Sequence, residues 1–252
     1  MIMLLTYYKM KRAKSTLFFL LFCLMINAQT SDNQTNHDAS YYWLQGLRYK
    51  ILQEYDFALE NLNIAIQLDP KMIDAYIDQA EVYIILRNLN EAKKSIELAM
   101  ALDSNNKRIY YTRGLYNNAL EKYINAIQDF NKAIEVNPED YLSFYERGNA
   151  KSNFGDSKGA VLDYTKVLEL SPNFWNAYYN RGCVKMDLQD YRGSIQDFNK
   201  VIEFTKDFPS VYFNRGLSKI AIGDLDSGCL DLSKAGEMGL SDAYDVIRTY
   251  CN

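Results

Sequence analysis

A thirty-four-residue pattern can be laid six times along the chain from residue 39 without a single insertion. Small residues fall at its eighth position (Gly46, Ala80, Gly114, Gly148, Gly182, Gly216), and the residue four places earlier is always aromatic (Tyr42, Tyr76, Tyr110, Phe144, Tyr178, Tyr212). A third series is again small: Ala58, Ala92, Ala126, Ala160, Ser194, Gly228. A small residue lets one helix backbone approach another, and a large apolar side chain one turn away fills the space beside the crossing. The chain therefore reads as an array of helix pairs in which each unit is completed by its neighbours.

Within residues 107–140 the spacing predicts a first helix over Ile109 to Ala119. The second helix carries Ile127, Phe130, Ala133 and Ile134 on one face and is stopped by Asn137-Pro138. Pro70 and Pro172 recur at the same position. Period and residues together resemble the tetratricopeptide repeat. The resemblance covers residues 39 to about 240. It implies an all-α, right-handed α-solenoid of helix-turn-helix units at 39–72, 73–106, 107–140, 141–174, 175–208 and 209–240, with residues 241–252 as a capping helix.

Two positions of the repeat change type together. Position seven is Gln45, Gln79, Arg113, Arg147, Arg181, Arg215, and position twenty-three is Asn61, Ser95, Asp129, Asp163, Asp197, Asp231. Arginine on the first helix goes with aspartate on the second, which predicts structural ion pairs between the two helices, within or between adjacent repeats. Lys151, Lys185 and Lys219 fall one turn after three of these arginines, in the same stripe.

Residues 1–28 hold four basic groups and no acidic one, followed by an unbroken apolar run from Leu17 to Ile26. That run is too short to span a membrane. With Ile26-Asn27-Ala28 as a cleavage site it reads as a signal peptide, with Met10 an alternative start to Met1. Export to the periplasm or the exterior follows, with no integral membrane segment after cleavage. Residues 29–38 read as a flexible linker. Loss of the four basic groups takes the formal charge from −4 to about −8, and no basic stripe suited to nucleic acid remains.

Asp242 to Tyr250 is amphipathic and is expected to close the array. If it packs antiparallel to the preceding helix, Cys251 comes near Cys229, leaving either a disulfide in an oxidising compartment or two buried thiols.

Catalysis has no foothold: His37, the single histidine, precedes the repeats, and there is no metal-ligand cluster, cofactor motif or glycine-rich phosphate loop. The resemblance implies that the first helices line a concave groove. Position five then supplies an aromatic ladder with Trp43, Tyr111, Tyr145, Tyr179 and Phe213, and Asn149, Asn180 and Asn214 stand beside it as amides suited to a peptide backbone. The family's carboxylate-clamping groove needs lysines where this chain has Tyr145 and Ser210, so that ligand is not expected. The reading is a non-enzymatic scaffold or adaptor for a protein or peptide partner. A glycan-binding module using the same rings, or a structural subunit of a cell-envelope complex, are the alternatives.

Overall fold

The computed structural model describes residues 37–251. Thirteen helices follow one another: α1 (Ala39–Ile51), α2 (Tyr55–Leu68), α3 (Ile73–Ile85), α4 (Leu89–Leu102), α5 (Lys107–Ala119), α6 (Tyr123–Val136), α7 (Tyr141–Phe154), α8 (Ser157–Leu170), α9 (Trp175–Asp187), α10 (Tyr191–Phe204), α11 (Pro209–Ala221), α12 (Leu225–Glu237) and α13 (Asp242–Tyr250). No strand occurs among the described residues. Helices α1 to α12 form six pairs stacked in order, an α-solenoid, and α13 packs on α12. The leader, with both proposed start sites, and most of the expected linker lie outside the described residues. Its last two residues are ordered against α1: His37 stacks on Tyr41, and the Asp38 carboxylate accepts the Tyr41 backbone N–H at 2.9 Å.

Local chemistry sets the helix ends. Helix α5 starts two residues before Ile109 because the Asn106 side chain accepts the Arg108 backbone N–H at 3.0 Å, and a cap rather than an apolar contact decides where a helix begins. At the second-helix ends Asp69, Asp103, Asn137 and Thr205 are extended, as suits the residue before Pro70 and Pro138. The turn inside each pair passes through a left-handed residue. Gly155 and Gly223 take it without strain, but Gln53, Arg87, Glu121 and Gln189 adopt the same geometry with side chains attached.

Glycine at position eight allows the close approach inside each pair. A Cβ on Gly114 would lie 2.6 Å from the Phe130 ring, and one on Gly182 would lie 2.7 Å from Phe198. Gly148 faces Tyr164 in the same way. Phe130, Tyr164 and Phe198 are buried, so the glycines are what make room for these rings in the core.

A second device rivets one pair to the next. Arg147 Nε and Nη2 donate to Asp163 at 2.9 and 2.5 Å, while its Nη1 donates to Asn131 Oδ1 of the preceding pair at 2.6 Å. Arg181 bridges Asp197 and Thr165, and Arg215 bridges Asp231 and Asn199, in the same way. Arg113 is fixed to Asp129 and reaches Met100 Sδ. Each guanidinium also lies over the position-four ring of its own helix, at 5.1 Å for Arg147 on Phe144. Lys151, Lys185 and Lys219 bond the second oxygens of Asp163, Asp197 and Asp231. In the second pair a neutral version stands in its place: Gln79 donates to Asn63 and accepts from Ser95, both at 2.7 Å.

At the C-terminal end Ala243 is buried and Tyr244 lies against Gly236. A disulfide joins Cys229, in the first turns of α12, to Cys251 just beyond α13, with their Cα atoms 5.8 Å apart. Helix α13 is thus tied back along α12 and covers the last pair.

Candidate functional site

The first helices of the first five pairs (α1, α3, α5, α7, α9) contribute to one surface on which two cavities open. The larger, about 610 Å³, is walled by Lys50, Glu81, Ile84, Ile85, Tyr111, Leu115, Asn118 and Asn153, with Arg87, Glu121 and Tyr123 at its rim. The second, about 380 Å³, is walled by Asn118, Asn149, Ser152, Asn153, Tyr164, Asn180, Cys183 and Asp187. They adjoin at Asn118 and Asn153, giving a polar groove across five helix pairs with an apolar patch from α3 and α5 at one end.

Of the expected ladder rings Tyr111 lines a cavity, and the fold uses most of the capacity of the others. Tyr111 lines the larger cavity and leans on Phe130. Tyr145 packs edge-on to Phe174 and beside Tyr164, and Tyr179 packs against Phe198 and Phe208. Phe213 sits against the last core cluster, and Trp43 packs on the first while its Nε1 donates to Asp78 at 2.9 Å. The amides form a chain between adjacent pairs. Asn180 Nδ2 donates to Tyr145 Oη and to Asn149 Oδ1, Asn149 Oδ1 also accepts from Tyr164 Oη, and Asn214 Nδ2 donates to Tyr179 Oη at 3.2 Å. Asn149 and Asn180 still line the second cavity; Tyr145, Tyr179, Trp43, Phe213 and Asn214 are in neither wall.

Three features in or beside the groove were not apparent from the sequence. The first is a charged knot: Asp78, 1% exposed, receives Trp43 Nε1, Lys50 Nζ and Arg108 Nη2, each at 2.9 Å, while Lys50 also pairs with Glu81. These residues occur once rather than periodically, so no repeat signal marks them. The second is Asn118, whose Oδ1 is buried without a hydrogen-bond partner among the described residues. The third is Glu146, whose carboxyl is raised above its usual range by burial, an effect only partly offset by the Asn149 N–H.

Burial also pushes the phenols up, Tyr179 to about 12, and Tyr111 further with help from the charges of Glu146 and Glu81. The Cys183 thiol is pushed up to about 11 by burial, which favours the protonated form at neutral pH. Among the described residues no group of His, Cys, Asp and Glu is placed to hold a metal ion, and no helix is long and apolar enough to cross a membrane.

The architecture matches solved structures of low sequence identity. PilF of Pseudomonas aeruginosa superposes with a TM-score of 0.74 at 19% identity, covering 84% of this chain and 96% of that one. PilW, described as a widely conserved type IV pilus biogenesis factor, gives 0.75 at 18% identity over 86% and 99%. YrrB, described as a TPR protein with an unusual peptide-binding site, gives 0.64 at 22% identity over 76% and 100%. No curated protein sequence matches the chain. Residues 73–106, 107–140, 141–174 and 176–208 each match the family model described as tetratricopeptide repeat, more than half of the chain, which therefore belongs to the tetratricopeptide repeat family.

Proposed function

We propose that this protein is a non-enzymatic, exported scaffold that binds an extended peptide or protein segment along the groove of its first helices. The observation that carries this is the pair of adjoining cavities with a buried, unpartnered acceptor, Asn118 Oδ1, where they meet. Native proteins rarely leave such an atom unsatisfied, and a ligand N–H would complete it. An extended chain offers N–H and C=O groups in sequence along such a surface, and apolar side chains for the patch made by Ile84, Ile85 and Leu115. The peptide-binding site attributed to YrrB is compatible with this use of the fold.

Two observations support export. The basic and apolar leader has the form of a signal peptide. The Cys229–Cys251 disulfide belongs to an oxidising compartment, which fits the periplasm or the exterior. The absence of a role for catalysis rests on chemistry: the imidazole of His37 precedes α1, and the Cys183 thiol is held protonated.

The test is crosslinked capture from the native host, comparing the wild type with Asn153→Trp and Ile85→Glu. Both residues are exposed and line the larger cavity, and Asn153 lines both, so these changes obstruct the groove and leave the core untouched. Proteins lost from the captured set by both variants are groove partners. An unchanged set would remove the groove from the function.

A further inference from the structure

The carboxylates of this molecule divide by how they are neutralised. Asp78, Asp129, Asp163, Asp197 and Asp231 are buried, and each holds an arginine or lysine; Glu81 holds Lys50. Glu146 on α7 does not. Its bonded partner is Asn149 Nδ2 at 3.1 Å, and no Arg or Lys among the described residues lies within 4.0 Å of it. The next residue, Arg147, is committed to Asp163 and Asn131 on the far side of its helix. Glu146 therefore lies beside Asn149, to which it is bonded and which lines the second cavity.

An ionised carboxylate partly withdrawn from water without a cation is costly, and the cost is removed when an opposite charge with matching donors arrives. The other unsatisfied group in the groove, Asn118 Oδ1, is also an acceptor. Both call for donors. Lysine and arginine supply them, but the planar guanidinium is the better fit, because it binds a carboxylate through two parallel N–H bonds.

We propose that the segment taken up by the groove carries an arginine, whose guanidinium pairs with Glu146 beside Asn149, so that the partner is a basic segment rather than a neutral or acidic one. This inference rests on the groove reading above and adds the charge of the occupant. The net charge of −4 on the whole chain works in the same direction, drawing basic segments toward the surface before docking.

The probes are two blocked peptides, acetyl-Gly-Gly-Arg-Gly-Gly-amide and its citrulline counterpart, which keeps the shape and loses the charge. Each is titrated into the folded protein while the side-chain amide resonances of Asn118, Asn149 and Asn153 are followed by NMR. The arginine peptide should shift these signals saturably, with the citrulline peptide bound about tenfold more weakly because a charge-assisted bond has become a neutral one. Glu146→Gln, which preserves size, should bring the arginine peptide down to the level of citrulline. Equal binding of the two peptides, or full binding by Glu146→Gln, overturns the arginine inference while the shifts at Asn118 and Asn149 still uphold the groove. If the arginine peptide moves none of these resonances, the inference is overturned, and the groove reading then stands or falls on the Asn153→Trp capture.

Discussion

Gly114 and Phe130 meet so closely that a Cβ added to the glycine would lie 2.6 Å from the ring. The same two positions in the second pair hold Ala80 and Ile96, so a methyl group on the first helix goes with a smaller side chain on the second. Gly114→Ala alone should then destabilise the protein by roughly 1–3 kcal/mol through overpacking. Adding Phe130→Ile should restore more than half of that loss. Chemical denaturation of the two single variants and the double variant measures the coupling, and additivity would mean that the contact does not govern the choice of glycine.

The arginine rivets allow a similar exchange. Arg147→Ala would leave Asp163, 3% exposed, with Lys151 as its remaining cation, and should cost about 3 kcal/mol. The neutral trio Asn63, Gln79 and Ser95 shows what else fills this space, and Asn131 of the third pair already supplies the first member beside Arg147. Arg147→Gln with Asp163→Ser should accordingly be more stable than either single change. A double variant worse than both would show that the stacking of Arg147 on Phe144 matters more than the buried charge.

Repetition decided what could be read in the sequence. The Arg–Asp positions stood out because both types switch together between the second and third copies. The other end of each arginine was hidden, because its acceptor position runs Asn131, Thr165, Asn199 and Met100 stands off the series altogether. The aromatic ladder was legible as a row of rings, but whether a tyrosine hydroxyl faces a ligand or an asparagine of the next pair depends on side-chain geometry that residue type leaves open. Asp78 and Glu146 occupy the same repeat position, two repeats apart on first helices. One is surrounded by cations and the other has none, and only the packing distinguishes them.

The left-handed turn residues make a prediction about stability without touching any contact. Glu121 has φ 59°, where Gly155 and Gly223 serve the fourth and sixth pairs. Glu121→Gly should stabilise by about 0.5–1 kcal/mol, since relief of the left-handed penalty exceeds the added entropy of the unfolded chain. A thermal melt checks it. A decrease in Tm would mean that the glutamate side chain contributes at the rim of the larger cavity.

The Cys229–Cys251 bond closes a segment with a sequence separation of 22 and should contribute about 3 kcal/mol through the unfolded state. Cys251→Ser, or addition of a reductant, should lower the Tm and raise hydrogen exchange mainly in α13 and the adjoining part of α12. The groove on α3 to α9 should keep its protection, because a solenoid transmits stability only between neighbours. Loss of protection in α5 would show that the array unfolds as one unit.

Glu146 gives the clearest pH dependence. Burial raises its carboxyl above the ordinary 4.5, so between that value and the raised one the folded state holds a proton that the unfolded state has released. Stability from this group is therefore lost as pH rises through that window and does not return above it. The groups around it are Tyr111 on α5, Tyr145 and Asn149 on α7 and Tyr164 on α8, none of them a cation that would reverse the sign. Glu146→Gln removes the titration. It should melt higher than the wild type at pH 7 and lose that advantage below the ordinary carboxyl value, where the wild-type side chain is also neutral. A variant less stable at pH 7 would mean that the ionised carboxylate already has a compensating partner within the fold, and the case for an arginine from outside would go with it. A stabilised variant would identify Glu146 as a residue kept at the expense of stability, which is the pattern expected of a group that serves binding.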